Sequence, residues 1–159
     1  MRVRPILASD ARMVGELVKS DWSDSTYAAT SRWALDAALA GRGEDAEGLV
    51  AVDDASPMVA GLIVFGPVAG ATGAARVLGV AVPPDARARN VADALCAAML
   101  ATLRAGGTRL VVAELPDDPA AAATRAVLQR AGFHEAGRVA DYFRDGVALF
   151  LLRRDLGDR

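Results

Sequence analysis

The apolar run Val77 to Val82 stops at Pro83-Pro84, passes through the basic tripeptide Arg87-Ala88-Arg89, and continues from Asn90 into a helical repeat. A short, β-branched run bounded by prolines predicts a strand covered on both faces, because proline cannot donate to a sheet ladder. After it, Val91, Leu95, Cys96, Met99 and Leu103 recur at helical spacing, so the helix buries one side. A strand of this kind needs sheet neighbours and covering helices, which makes the chain α/β. The connection also has chemical consequences. First-turn N–H groups lack intrahelical partners, the helix dipole adds partial positive charge, and Arg87 and Arg89 add full charges. Such a loop suits a pyrophosphate; the other reading is a solvated basic loop. The glycine-rich phosphate loop and the dinucleotide fingerprint are both missing, which argues against ATP and NAD.

The remaining elements follow from local pattern. Val3 to Ile6 reads as a strand. Asp10 is placed to cap a helix carrying Met13, Val14, Leu17 and Val18 on one face. A polar loop, Ser20 to Thr26, leads to a second helix from Tyr27 to Leu39. Strands are predicted at Gly48–Asp53, Val59–Phe65 and, after the helix that Gly106-Gly107 ends, at Arg109–Glu114. A fourth helix runs to Ala131 with Gly132 as its stop. Phe133–Phe143 and Val147–Leu152 form a hairpin about Asp145-Gly146. The order is β-α-α-β-β-β-α-β-α-β-β, read as one domain over residues 1–159.

Composition narrows the function classes. The chain has 159 residues, 53% of them hydrophobic, enough for a sizeable core. A net charge of −2 gives no general attraction to nucleic acid or anionic membrane. Cys96 is the only cysteine and His134 the only histidine, which excludes an intrachain disulfide and a Cys/His metal site. No apolar run approaches membrane-span length and no leader-like segment opens the chain. The expectation is a cytoplasmic protein with neither membrane nor nucleic-acid partner.

The loop Arg87-Ala88-Arg89-Asn90-Val91-Ala92 resembles the acetyl-CoA loop of the GNAT N-acetyltransferases, Arg/Gln-x-x-Gly-x-Gly/Ala. Arg87 and Ala92 match; Asn90 stands in place of glycine and tolerates unusual backbone angles. Residues Thr124 to Gly146, with Gly132-Phe133 after a helix and a strand ending in the pair Tyr142-Phe143, are similar to the family's C-terminal pattern. The resemblance implies a mixed six- to seven-stranded sheet flanked by four helices, with two central strands, Val77–Val82 and Arg109–Glu114, diverging to admit a thioester. It implies acetyl-CoA as co-substrate, no metal, and direct attack by an amine with both substrates bound. Val80, Ala81 and Val82 would hold the pantetheine arm through backbone groups, and Arg87, Ala88, Arg89, Asn90, Val91 and Ala92 the pyrophosphate.

Amine acetylation needs a base, a polarised carbonyl and a departing thiolate. Glu114 closes the apolar run Leu110 to Ala113 next to where the thioester would lie, and is the candidate base. The alternative is a solvated strand-end charge. The family's usual tyrosine acid, four residues before the Gly-Phe glycine, is Leu128 here; Tyr142 is the nearest substitute, or simply a half-buried aromatic. Asp21, Trp22, Asp24 and Tyr27, with Asp141 and Asp145 from the hairpin, form an acidic and aromatic rim suited to a cationic amine. In the other reading the loop is exposed and Trp22 is a core plug. Three functions remain open: an N-acetyltransferase acting on a small-molecule or peptide amine, a catalytically degenerate module that binds coenzyme A, and a partner-binding protein. The closing strand Val147–Leu152 is apolar on both faces and needs cover on both sides, from helices or from a second subunit. GNAT proteins often dimerise through this region, so a homodimer burying part of the late hairpin is expected; the alternative is a monomer whose helices cover both faces.

Overall fold

Seven strands form one mixed sheet in a computed structural model that describes residues 1–22, 28–87 and 90–157. They are β1 (Arg2–Pro5), β2 (Glu47–Asp53), β3 (Ser56–Pro67), β4 (Ala74–Ala81), β5 (Leu110–Pro116), β6 (His134–Arg144) and β7 (Val147–Asp155). Their spatial order is β1-β2-β3-β4-β5-β7-β6, and β4–β5 is the parallel pair; the other neighbours are antiparallel. Among the described residues the helices are α1 (Ala11–Asp21), α2 (Ala29–Leu39), the single turn α3 (Pro84–Arg87), α4 (Val91–Ala105) and α5 (Ala122–Arg130). The predicted order holds, with α3 as an added turn inside the expected basic loop.

Two apolar layers flank the sheet. On one face α4 sets Val91, Leu95, Met99 and Leu103 against Ile63, Phe65 and Val111, and α5 adds Val127 and Leu128. On the other, α1 and α2 bring Val14, Leu17, Ala34 and Leu35 onto Val50, Leu62, Val64 and Leu78. The tight entry to α5 follows from Asp118-Pro119: the Asp118 carboxylate accepts the Ala120 N–H at 2.9 Å and proline fills the first position of the turn. Gly132 takes φ +88°, the left-handed stop that ends α5.

One irregularity in β4 shapes the molecule. Phe65 of β3 pairs with Val77, and Val64 with Gly79, so Leu78 is an extra residue in the ladder. A bulge bends the strand that carries it. The parallel pairing of β4 with β5 runs from Ala74↔Leu110 to Val77↔Ala113 and ends there, although β4 continues to Ala81 and β5 to Pro116. Past the bulge the two strands separate.

One expectation needs correction. Asp10 does not cap α1 from its side chain. It is buried, reaches back to accept the Leu7 N–H at 2.8 Å, and receives both Arg4 guanidinium nitrogens at 2.7 and 2.9 Å. β7 lies between β5 and β6, and its apolar character is that of an interior strand. The outer edge on that side is β6. No described helix is long and apolar enough to cross a membrane.

Candidate active site

The gap between β4 and β5 opens into a cavity of about 460 Å³. Its walls come from β4 (Arg76 to Val80), β5 (Ala113 to Pro116), the end of α1, the start of α2, the first turn of α5, and Phe143 of β6. The cavity passes through the sheet. Val77, Val80, Ala113 and Leu115 belong to the α4/α5 side, where they pack into that core. Arg76 and Glu114 alternate with these residues and therefore face the α1/α2 side.

The open edge of β4 is dressed by side chains. The Trp22 indole N–H donates to the Val80 carbonyl at 3.0 Å, the Ser31 hydroxyl donates to the Leu78 carbonyl, and the Asp21 carboxylate accepts the Val82 N–H at 3.3 Å. In a strand the N–H and C=O of one residue point to the same edge, so the Val80 N–H also faces the gap. Gly79 lets this happen: a Cβ there would lie 2.9 Å from the Trp22 ring and from Ser31. The Arg32 guanidinium donates to the Trp22 carbonyl and ties the end of α1 to α2.

At the far end of β4, α4 begins with Asn90 in the left-handed conformation, φ 57° and ψ 27°, without a side-chain cap. The Asn90 carbonyl accepts the Ala94 N–H at 3.1 Å, and Asn90 itself makes no side-chain cap to the first-turn N–H groups. Asp93, which would oppose an anion here, is drawn to Arg130 of α5 at 2.8 Å. Val91 and Ala92 bury their side chains in the core, as do Ala81 and Val82, so these four offer only backbone to a ligand.

The predicted residues divide accordingly. Trp22, Val80 and Glu114 line the cavity, and so does Asp21. Trp22 is buried, a wall rather than an exposed rim. Tyr142 is 57% exposed and does not line the cavity; its strand neighbour Phe143 does, because adjacent residues face opposite ways. Asp141 is also outside the lining. It adopts φ 54° and its carboxylate accepts the Gly146 N–H at 2.7 Å, a turn device of the hairpin. Leu128 is fully buried in the core, which removes any proton donor from that position. Burial pushes the Cys96 thiol up to about 11, so it stays protonated near neutrality and is no nucleophile. Asp24, Tyr27, Ala88 and Arg89 lie outside the described residues, and Arg87 closes α3. The described residues contain no group of three His, Cys, Asp or Glu able to hold a metal ion. Thr30, Ser31 and Arg76 are polar lining residues that the sequence did not single out.

Residues 8–133 match the model of the acetyltransferase (GNAT) family. A protein from Desulfovibrio desulfuricans assigned to the GNAT family superposes with a TM-score of 0.85 at 25% identity, covering 98% of this chain and 99% of that one. A phosphinothricin acetyltransferase from Sinorhizobium meliloti, solved with acetyl-CoA, gives 0.77 at 20% identity over 98% and 88% of the two chains. The aminoglycoside 6'-N-acetyltransferase from Enterococcus faecium gives 0.80 at 12% identity over 100% and 99%. No curated protein matches the chain. The split sheet, the left-handed entry to α4 and the family match over most of the length converge on one conclusion: this chain belongs to the GNAT acetyltransferase family.

Proposed function

We propose that the chain transfers the acetyl group of acetyl-CoA to a primary amine of a small molecule or peptide, with both substrates bound together. One observation carries the reading. The gap between β4 and β5 holds a cavity lined from both faces of the sheet, with the start of α4 beyond the end of β4 and the Glu114 carboxylate on the face opposite α4. The donor set fits acetyl-CoA: a left-handed Asn90 that brings backbone close, first-turn N–H groups for phosphate oxygens, and a bare strand edge for an amide-bearing arm. When bound, acetyl-CoA supplies an activated acetyl group.

The protein's residues then have distinct tasks. The Val80 N–H faces the gap and is placed to donate to a carbonyl oxygen as it gains negative charge. Glu114 takes the proton that the amine loses as nitrogen bonds to the acetyl carbon and the carbon–sulfur bond breaks. The sulfur leaves with the bonding pair as a thiolate and is protonated from solvent, since no tyrosine stands at the Leu128 position. Glu114 is exposed, so it can return its proton to water between turnovers. Glu114→Gln should lower turnover at least about tenfold, and by about 10²–10⁴-fold for a base contributing at its typical level, with acetyl-CoA affinity unchanged. Unchanged turnover would remove Glu114 from the reaction.

A second reading, a degenerate module that binds coenzyme A, draws support from the buried Leu128 and the outward-facing Tyr142. Thermal stabilisation by acetyl-CoA without thiol release across an amine panel would favour it.

A further inference from the structure

Arg76 stands out among the cavity residues. Its strand neighbours Ala75 and Val77 pack into the α4/α5 core, which puts Arg76 on the α1/α2 side, half-buried in the cavity wall. Among the described residues it has neither a hydrogen bond nor an ion pair, whereas Arg4, Arg130, Arg138 and Arg153 each hold a carboxylate. A guanidinium carries five N–H donors in a planar fork that suits a carboxylate, and half-buried at the cavity wall it is free to take one. The group is therefore poised for an anion that enters the cavity.

Two carboxylates line the same cavity: Asp21, which accepts the Val82 N–H, and Glu114, which has no partner among the described residues. Arg76 pairs in register with Val112, and Glu114 stands two residues further along β5 on the same face. Strand spacing of about 4.8 Å and a rise of about 3.3 Å per residue put the two Cβ atoms roughly 8 Å apart before the strands diverge. The two side chains do not close on each other as an ion pair. The two charges are placed for a compact ligand that carries both signs, its ammonium going to Glu114 and its carboxylate to Arg76. A peptide N-terminus or a simple amine would leave Arg76 unmatched. Building on the acetyl-transfer reading, we infer that the acceptor is a free α-amino acid or a close analogue, and that Arg76 selects it by binding its carboxylate.

The test compares L-α-amino acids with their α-amides, which keep the shape and lose the negative charge. Binding to the full chain is measured by calorimetry with coenzyme A present, and transfer by thiol release from acetyl-CoA. At least one amino acid should bind tenfold or more tightly than its amide. Arg76→Gln should erase that difference by weakening the acid and sparing the amide, and Arg76→Lys should restore part of it. Circular dichroism and unchanged coenzyme A affinity show that the variants fold. Equal binding of acid and amide, a preference that survives Arg76→Gln, or no amino acid bound at all would each overturn the proposal. Amides acetylated as fast as acids would also sink it while leaving acetyl transfer intact. Acids that bind through Arg76 without thiol release would keep the carboxylate site and remove the transfer reading.

Discussion

Strands β3 and β6 are nearly equal in length, twelve and eleven residues, yet they live in different solvents. β3 lies mid-sheet between β2 and β4, with α4 on one face and α1 and α2 on the other, and Leu62 to Phe65 are all fully buried. β6 is the outer edge, and none of its residues is buried. Apolar burial holds the β1–β4 half together. The β6 edge is held by its pairing to β7 and by charges: Arg138 to Asp117 at 2.9 Å and Arg144 to Asp118 at 3.2 Å, with Arg125 and Arg138 over the Phe150 ring. The cavity sits at the seam between the halves. Both walls, β4 and β5, carry core residues such as Ala75, Val111 and Ala113, and only Phe143 reaches the cavity from the ion-paired β6 edge, so that corner can vary at small cost to the fold.

The widest separation between the halves should appear in core truncations. Phe65→Ala removes a fully buried ring and should destabilise by about 3–5 kcal/mol. Val139→Ala on β6, 50% exposed, should stay within about 0.5 kcal/mol. Urea unfolding followed by tryptophan fluorescence measures both, and comparable losses would break the contrast.

Carboxylates sharpen it further. Asp10 is buried and bonded to Arg4 and the Leu7 N–H, and the Arg4 hydrogen bonds hold its pKa below the ordinary aspartate value of 3.8. Asp10→Asn should cost about 1.5–3 kcal/mol, the range for hydrogen bonds to charged groups. A carboxyl that is more acidic folded than unfolded contributes stability in full above its unfolded pKa. That contribution is lost as pH falls through the folded value, because the unfolded chain binds the proton more readily. The acid limb of the stability curve should therefore flatten in Asp10→Asn. Asp117→Asn breaks an exposed pair and should cost under about 1 kcal/mol, with a salt dependence that Asp10 lacks. An unchanged acid limb in the Asp10 variant would remove the buried pair from the account.

Local pattern revealed what is local. The strand–proline–helix unit, the left-handed tolerance needed at Asn90, the inert Cys96 and the lack of a donor at Leu128 were all readable from neighbours in sequence. Strand order was not. β7 follows β6 in the chain but inserts between β5 and β6, and no periodicity within Val147–Asp155 distinguishes an interior strand from a covered edge. Face parity was hidden as well. Arg76 opens an apolar run and reads as a strand-end charge until the cores assign Ala75 and Val77 to the other side. Asp141 and Trp22 were read as rim residues on type alone; the partners that remove them from the rim, Gly146 and Val80, lie 5 and 58 residues away. The place of Glu114 in the cavity wall was legible because it ends a strand predicted to flank the gap.

The smallest effect separates two non-glycine residues with positive φ. Asn90 in the covered half and Asp141 in the exposed hairpin have φ 57° and 54°, a region that costs an L-residue about 1–2 kcal/mol and asparagine and aspartate less. Asn90 makes no side-chain cap, so Asn90→Gly exchanges relief of strain for a more flexible unfolded chain and should change stability by only a few tenths of a kcal/mol. Asn90→Ala keeps the strain without asparagine's tolerance and should lose about 1 kcal/mol. Asp141→Gly also loses the bond to the Gly146 N–H and should cost more than Asn90→Gly. Acetyl-CoA affinity reads out the other side of the argument. If the Asn90 side chain merely crowds the helix start, Asn90→Gly binds acetyl-CoA as tightly or more tightly. Weaker binding in calorimetry would make that amide a ligand and would end the view of Asn90 as a substitute for glycine.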